Sequence, residues 1–166
     1  MAPATPLPLA ERFFAPEITR VFWVPLIAAA ATLVYTRAEL DAGTELTDEL
    51  ADLSGWTVTG ASIATPDIKR RFTGSIPGRQ TAADSSITFY ADLKGNDVRK
   101  VLTSGMNGNV VFMDGGDVPA SPSDVFPARV NTVGKVRSVG DAAHQLTVGF
   151  TITRAPKVDI PVPAAA

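Results

Sequence analysis

The chain has 166 residues, of which 45% are apolar, and this length and composition are typical of one folded domain and exclude a disordered chain. The chain contains no cysteine, which excludes disulfide bonds, thiol catalysis and cysteine-ligated zinc. A net charge of −2 does not indicate a nucleic-acid binder, and the low charged fraction of 19% favours a surface that is partly buried against other copies of the protein.

Residues 1–19 contain four prolines and predict an extended N-terminal arm. Phe13 and Phe14 are expected to dock onto another surface, for example a neighbouring subunit. Residues 21–35, VFWVPLIAAAATLVY, are an apolar run of fifteen residues, but a membrane span needs about 20 residues. The preceding region also lacks the uncompensated positive charge of a signal peptide. A signal peptide is therefore a distant second interpretation of this apolar stretch. We interpret Val21–Ile27 as a strand that is covered on both faces and ends near Pro25.

Residues 36–55 predict an excursion that projects between two strands. Thr36 and Glu39 have the spacing of a capping box, so a short helix is expected to begin there and to end by Gly43. An acidic segment with several leucines follows.

Two strands are predicted to form an early hairpin. The first is residues 67–76, with Ile68, Phe72 and Ile76 on one face; the second is residues 85–92, with Ile87 and Phe89 facing inward. A short strand at residues 56–60 precedes them. Together with a later hairpin of similar length, this pattern predicts two packed sheets.

Residues 96–104 predict the helix that packs on the sheets. Asn96 is a plausible N-cap, the apolar residues Val98, Val101 and Leu102 have helical spacing, and Gly105 can end the helix. A strand at residues 109–113 and a turn at residues 114–117 follow.

The later hairpin, within residues 125–154, is the clearest pattern in the chain. Leu146, Val148, Phe150 and Ile152 alternate with small polar residues, which is typical of a half-buried antiparallel strand. Its partner is predicted at residues 128–139, with a turn at Gly140–Asp141. Residues 155–166 contain three prolines and predict a second extended arm.

The predicted fold class is therefore mainly β: a two-sheet β-sandwich, or a partly open barrel, with one flanking α-helix and extended N- and C-terminal arms. One domain is expected at residues 20–154, between arms at residues 1–19 and 155–166.

No group of residues predicts catalysis, a metal site or a cofactor. His144 is the only histidine, so a triad or a histidine metal site has no partners. Asp114, Asp117 and Asp124 lie near one another in sequence but do not match a calcium loop. The basic triplet at residues 69–71 does not form one patch in a strand, because neighbouring side chains point to opposite faces.

Six runs of sequence, in this order, resemble the major tail proteins (tail tube proteins) of long, flexible-tailed bacteriophages, especially those that infect actinobacteria. The runs are TRAELDAGTELTDELADLSGW, TPDIKRRFTGSIPGRQTAADSSITFYAD, GNDVRKVL, VVFMDGGD, FPARVNTVGKVRS and QLTVGFTITRAP. They extend from about Thr36 to Pro156, so the resemblance covers most of the chain.

The resemblance implies a β-sandwich subunit that assembles into hexameric rings, and rings that stack into a hollow tube. Strands of all subunits would form a continuous barrel around a lumen. The lumen would hold the tape measure protein and later pass DNA without specific binding. Tail-tip and tail-terminator proteins would bind the ends of the tube. The implied location is the virion, after synthesis in the cytoplasm of the bacterial host, with no membrane partner, no enzymatic activity and no cofactor.

Two sets of residues are candidates for assembly. The small polar face of the last strand suits the wall of an aqueous channel, and its lumen-facing candidates are Gln145, Thr147, Thr151 and Thr153. The excursion at residues 36–55 and the two arms are expected to make contacts between rings, so deletion of residues 38–53 should leave a folded subunit that cannot stack. The candidates for contacts between rings or subunits, chosen by charge, are Arg37, Glu39, Asp41, Glu45, Asp48, Glu49, Lys69, Arg70, Arg71 and Arg79.

Two other functions compete with a tube subunit. A monomeric β-sandwich binding module would need a cluster of exposed aromatic residues, but aromatic residues are only 7% of the chain and are scattered along it. A small enzyme is disfavoured because no catalytic arrangement is recognisable.

Overall fold

Ten β-strands and one short α-helix form most of the regular structure in residues 6–10 and 12–165, the part of the chain that the computed structural model describes. The strands are β1 (Arg20–Val24), β2 (Thr44–Glu45), β3 (Leu50–Ser54), β4 (Val58–Thr65), β5 (Gly74–Ala82), β6 (Ser85–Tyr90), β7 (Asn107–Met113), β8 (Pro122–Val136), β9 (Gln145–Ile152) and β10 (Lys157–Pro161). The helix α1 spans Arg37–Asp41, and two 3-10 turns span Thr47–Glu49 and Val98–Lys100. The prediction of a mainly β fold with two sheets and a small helix is confirmed.

An eight-stranded antiparallel sheet has the order β2-β1-β7-β8-β9-β6-β3, and β10 also pairs with β8. Strand β8 has 15 residues. Its first half lies between β7 and β10, and its second half continues beside β9, with a break in register between Val130 and Thr132. The second sheet is the two-stranded hairpin β4–β5.

Two apolar clusters cover opposite faces of β1 and β7. Trp23 and Val110 belong to the first cluster, whereas Val24, Val111 and Met113 belong to the second. The prediction of a strand covered on both faces near Val21 is therefore confirmed. The short helix α1 adds Leu40 to the second cluster.

The late hairpin is also confirmed. Leu146, Val148 and Phe150 of β9 are at most 3% exposed, and β9 pairs with β8 on one side and β6 on the other. In β6, Ile87 and Phe89 are buried as predicted.

The predicted early hairpin is wrong in register and in environment. Strand β6 pairs with β3 and β9, whereas residues 66–73 form the loop that connects β4 to β5. Ile68 and Phe72 are fully or largely exposed there, at 108% and 83%. Alternating apolar residues predict a buried face, but neither core cluster of the described residues includes these side chains.

The predicted helix at residues 96–104 is absent. In its place is the 3-10 turn Val98–Lys100, capped by Asp97, whose carboxylate accepts a hydrogen bond from the backbone N–H of Arg99. The Asp92 carboxylate accepts from the backbone N–H groups of Lys94 and Asn96. Asp and Asn side chains thus hold the backbone in turns and compete with helix formation, and a segment this short nucleates a helix poorly.

Residues 36–55 do not project. The capping box at Thr36 and Glu39 is present, but Leu40 and Leu46 are at most 6% exposed, and β2 and β3 form the two edges of the large sheet. Deletion of residues 38–53 would therefore remove core residues and both edge strands, contrary to our expectation.

The terminal segments differ from one another. Residues 157–161, in the predicted C-terminal arm, form β10, and Ile160 and Val162 are buried. In the predicted N-terminal arm, Phe13 and Phe14 are exposed at 59% and 75%. Residues 1–5 and Glu11 of that arm, and Ala166, lie outside the described residues.

Candidate assembly surfaces

The first candidate surface is a small, polar face of the large sheet. Thr147 and Gly149 of β9 lie opposite Thr88 and Ser86 of β6, and directly opposed residues of an antiparallel pair share a face. The hydroxyl groups of Thr88 and Thr147 are 3.2 Å apart. A Cβ on Gly149 would lie 2.6 Å from the Oγ1 of Thr132 on β8, so glycine lets this face pack closely across the strands.

The same face ends at two strand edges that have no partner in the described chain. Strand β3 is the last strand of the sheet order. Strand β8 pairs with β7 only as far as Arg129, so residues 132–136 have β9 on one side and no described strand on the other. Open edges of this kind present unpaired N–H and C=O groups and favour pairing with another chain.

The second candidate surface is the hairpin β4–β5, in which every residue of β4 is exposed. Eight residues at about 3.3 Å each give a hairpin roughly 26 Å long. A lone two-stranded hairpin is marginally stable in water. Ile63 and Ile76 are 52% and 53% exposed, so the described residues leave apolar side chains of this hairpin uncovered.

An aromatic cluster anchors the base of this hairpin. The Trp56 ring lies 5.0 Å from Phe112, 5.4 Å from Phe126 and 5.3 Å from Phe150, measured between ring centroids. Its indole N–H donates to the carbonyl oxygen of Ser86 at 3.2 Å. Trp56 has a φ of 60°, so the chain turns sharply here, and the cluster fixes the direction in which the hairpin leaves the sheet.

Three predicted contact candidates make intramolecular contacts around α1. Arg37 pairs with Asp41 and with Asp117, each at 2.8 Å. The Glu39 carboxylate accepts backbone N–H groups of Ala28 and Thr36, each at 2.7 Å. These hydrogen bonds lower the pKa of Glu39, and their geometry gives Arg37, Glu39 and Asp41 structural roles at the helix.

The other candidates divide into an acidic and a basic group. Glu45 pairs with Arg20 at 2.9 Å, while Asp48 and Glu49 are exposed and have no cationic group within 4.0 Å among the described residues. The basic candidates Lys69, Arg70, Arg71 and Arg79 all lie on the exposed hairpin or its loop. Within one chain, the structure does not bring the two groups together.

The lumen candidates lie on or next to β9. Gln145, Thr147 and Thr151 are on the polar face of the strand, and Thr153 follows the strand, where its hydroxyl donates to the carbonyl oxygen of Pro127 at 3.3 Å. Other residues on this face, which sequence reasoning did not place there, include Asp52, Ser54, Ser86, Thr88, Arg129 and Thr132. The alternation of polar and apolar residues in 85–90 was the available signal for Ser86 and Thr88.

The described residues contain no group of three or more His, Cys, Asp or Glu side chains arranged to hold a metal ion. None of the helices in that part of the chain is long and apolar enough to cross a bilayer. His144 lies exposed in the loop before β9.

Comparison with known proteins gives a family and a fold. The model of a family described as "Phage tail tube protein" matches residues 8–165. No curated protein sequence gives a significant match. One similar solved structure is a chain of the anti-feeding prophage cap, described as the AFP tube terminating cap, with a TM-score of 0.58 and 10% identity over 91% of this chain and 95% of that chain. Another is a chain of the six-fold symmetrised anti-feeding prophage baseplate, with a TM-score of 0.54 and 9% identity over 90% of this chain and 97% of that chain.

Proposed function

This chain belongs to the phage tail tube protein family, and we propose that it assembles into hexameric rings that stack into a hollow tube for DNA delivery. Family membership rests on a match to residues 8–165 and makes the chain a structural protein of the phage tail, located in the virion. The observation that carries the proposed assembly is the polar, open-edged sheet β8–β9–β6–β3.

The two open edges support ring formation. Strand β3 of one subunit would pair with residues 132–136 of β8 in the next subunit, so that each edge is covered by its neighbour. A head-to-tail contact of this kind closes into a ring when the rotation between subunits allows it. The resulting barrel has no exposed edges.

The polar face supports a role as the lumen wall. It carries hydroxyl groups and glycines, for example Thr147, Gly149 and Thr88. Its charged residues are Asp52, opposite Thr88 near its centre, and Arg129, opposite Thr151 near its end. Phosphate contacts with Lys and Arg dominate the affinity of proteins for DNA. A wall without such contacts at its centre would hold the tape measure protein and let DNA pass without specific binding.

The exposed hairpin supports stacking of rings. Its base is fixed by Trp56, and its apolar tip has no cover among the residues that the structure describes. The neighbouring ring would supply that cover, which makes residues 58–82 part of the contact between rings. Tail-tip and tail-terminator proteins would use the same surfaces at the ends of the tube. Synthesis in the host cytoplasm follows from this role.

Negative-stain electron microscopy of the purified protein across a concentration series tests the proposal. Hollow tubes, or rings with six-fold views, are expected, with matching high-mass species on a sizing column. A monomer at every concentration, with no ring or tube, would contradict the proposed assembly and reopen the binding-module interpretation.

A further inference from the structure

An acidic groove opens between the segment around β2 and the 3-10 turn Val98–Lys100. Its apolar floor includes Leu46, Phe89 and Val98, which are 6%, 1% and 7% exposed. Asp48 and Glu49 stand at its rim. The groove has a volume of about 290 Å³, which is just below the roughly 300–1,000 Å³ of small-molecule pockets, so it suits one or two inserted side chains.

The groove carries negative charge that the described residues do not fully neutralise. Two of its acids are paired: Glu45 with Arg20 at 2.9 Å and Asp97 with Arg99 at 2.6 Å. Asp48 and Glu49 are exposed and have no cation within 4.0 Å among the described residues. A ligand for the groove should therefore combine an apolar tip with positive charge.

The loop between β4 and β5 has that chemistry. Phe72 is 83% exposed and Ile68 fully exposed, and Lys69 and Arg71, beside them in sequence, make no ion pair in the described chain. Arg70 is within 3.8 Å of Asp67, which leaves most of the positive charge of the loop unpaired.

The groove and the hairpin are attached to opposite ends of one strand. Leu50, at the start of β3, follows the acidic rim and pairs with Phe89 of the groove floor. Ser54, at the end of β3, pairs with Ser86 and leads into the hairpin. Five residues at about 3.3 Å per residue separate the two sites by roughly 16 Å along the strand. The groove and the base of the hairpin therefore lie at opposite ends of β3 in one chain, an arrangement that suits a repeating head-to-tail contact.

We propose that the β4–β5 loop of one subunit inserts into the acidic groove of a second copy in the next ring. Phe72 lies on the apolar floor, and Lys69 and Arg71 lie beside Asp48 and Glu49. This inference rests on the proposed tube and specifies the contact that stacks its rings. The occupant is a second copy because the chain itself supplies both complementary surfaces.

Engineered cysteines test the contact directly, since the chain has none of its own. A Phe72→Cys variant is mixed with a mass-tagged Val101→Cys variant, because Val101 also lines the groove, and the mixture is oxidised with copper phenanthroline. A cross-linked heterodimer is expected. Gln80→Cys, on the same hairpin but near its base, replaces Phe72→Cys in the control and should give at least about tenfold less product, because disulfides need Cα atoms within about 7 Å.

Charge reversal tests the energetics. Lys69→Glu/Arg71→Glu and Asp48→Lys/Glu49→Lys should each raise the critical concentration for tubes at least about tenfold, because opposed like charges disfavour an interface. All four changes in one chain should restore assembly. Asp141→Lys, an exposed acid outside the groove, is the control and should leave assembly unchanged.

The outcomes separate this inference from the proposed function. The wild-type protein could form tubes while the Phe72→Cys and Val101→Cys variants give no cross-link, or while the variant with all four charge changes fails to assemble. Either result would overturn the loop-in-groove contact and leave the proposed tube intact. Absence of tubes, rings and cross-links in every sample would overturn both.

Discussion

Replacing Trp56 by alanine is expected to destabilise the subunit by about 3 kcal/mol, because Trp56 joins the hairpin to the core. Trp→Ala changes in cores cost about 3–5 kcal/mol, and Trp56 is only half-buried, so the lower end applies. Its ring makes three aromatic contacts of 5.0–5.4 Å, each worth about 0.5–1.5 kcal/mol beyond burial. Its hydrogen bond to Ser86 at 3.2 Å adds about 1 kcal/mol.

Two further substitutions at the same position sharpen the test. Trp56→Phe keeps much of the ring contact and should destabilise the subunit by about 1–2 kcal/mol. This loss corresponds to the free energy of the hydrogen bond and of part of the aromatic packing. Trp56→Gly should be about 1 kcal/mol more stable than Trp56→Ala, because glycine adopts the positive φ of 60° without steric cost.

The measurement is urea unfolding followed by far-UV circular dichroism, with Trp23 fluorescence as a second probe. A loss below about 1 kcal/mol for Trp56→Ala would contradict the anchoring role of the ring. Trp56→Gly less stable than Trp56→Ala would contradict the backbone argument, since glycine is otherwise the more costly replacement.

Three other changes test separate parts of the structure. Replacing residues 59–81 by a short Gly-Ser linker should leave a folded subunit that forms rings without tubes, and loss of the far-UV spectrum would show instead that the hairpin is needed for folding. Phe150→Asp should prevent folding, because Phe150 is 3% exposed and a buried unpaired carboxylate costs more than about 4 kcal/mol; a cooperative thermal transition would contradict this. Asp97→Asn should cost about 1–2 kcal/mol at neutral pH, because hydrogen bonds and charge from Arg99 lower the pKa of Asp97 to about 2. The stabilisation by the Asp97 carboxylate is complete above the pKa of the unfolded state, near 3.8, and falls as the pH drops towards 2. The wild type and Asp97→Asn should therefore converge in stability near pH 2, and a constant difference from pH 6 to 2 would contradict this role of Asp97.

The strands that bury one face within the subunit were predictable from sequence. Leu146, Val148 and Phe150 alternate with small polar residues, and a shift of one residue would move all of them into water. The capping box at Thr36 was equally readable, because its hydrogen bonds are local. Such patterns depend only on nearby residues or on one buried face.

The errors have a common physical cause, which is that sequence periodicity does not show where the burying partner lies. Ile68, Phe72 and Ile76 resemble a buried face, yet the structure exposes all three. The acidic segment at residues 44–54 resembles a loop because its strands are short, yet β2 and β3 pair with strands distant in sequence. Neither long-range strand pairing nor the exposure of an apolar face in the folded chain is visible in a local pattern.

The segregation of charge has a consequence for the order of assembly. Residues 37–52 contain six acids and one arginine, and residues 58–82 contain four basic residues and one acid. Two free subunits could pair around a two-fold axis, with the β4–β5 loop of each in the acidic groove of the other. Such a closed pair could not add further subunits through these surfaces. In the proposed ring, pairing of β3 with β8 points all hairpins to the same side, so the closed pair is no longer possible. A single exposed ion-pair contact is worth at most about 1 kcal/mol, but six contacts in one rigid ring act together. Rings should therefore form first and stack afterwards, and salt should dissociate tubes into rings before it dissociates rings into subunits.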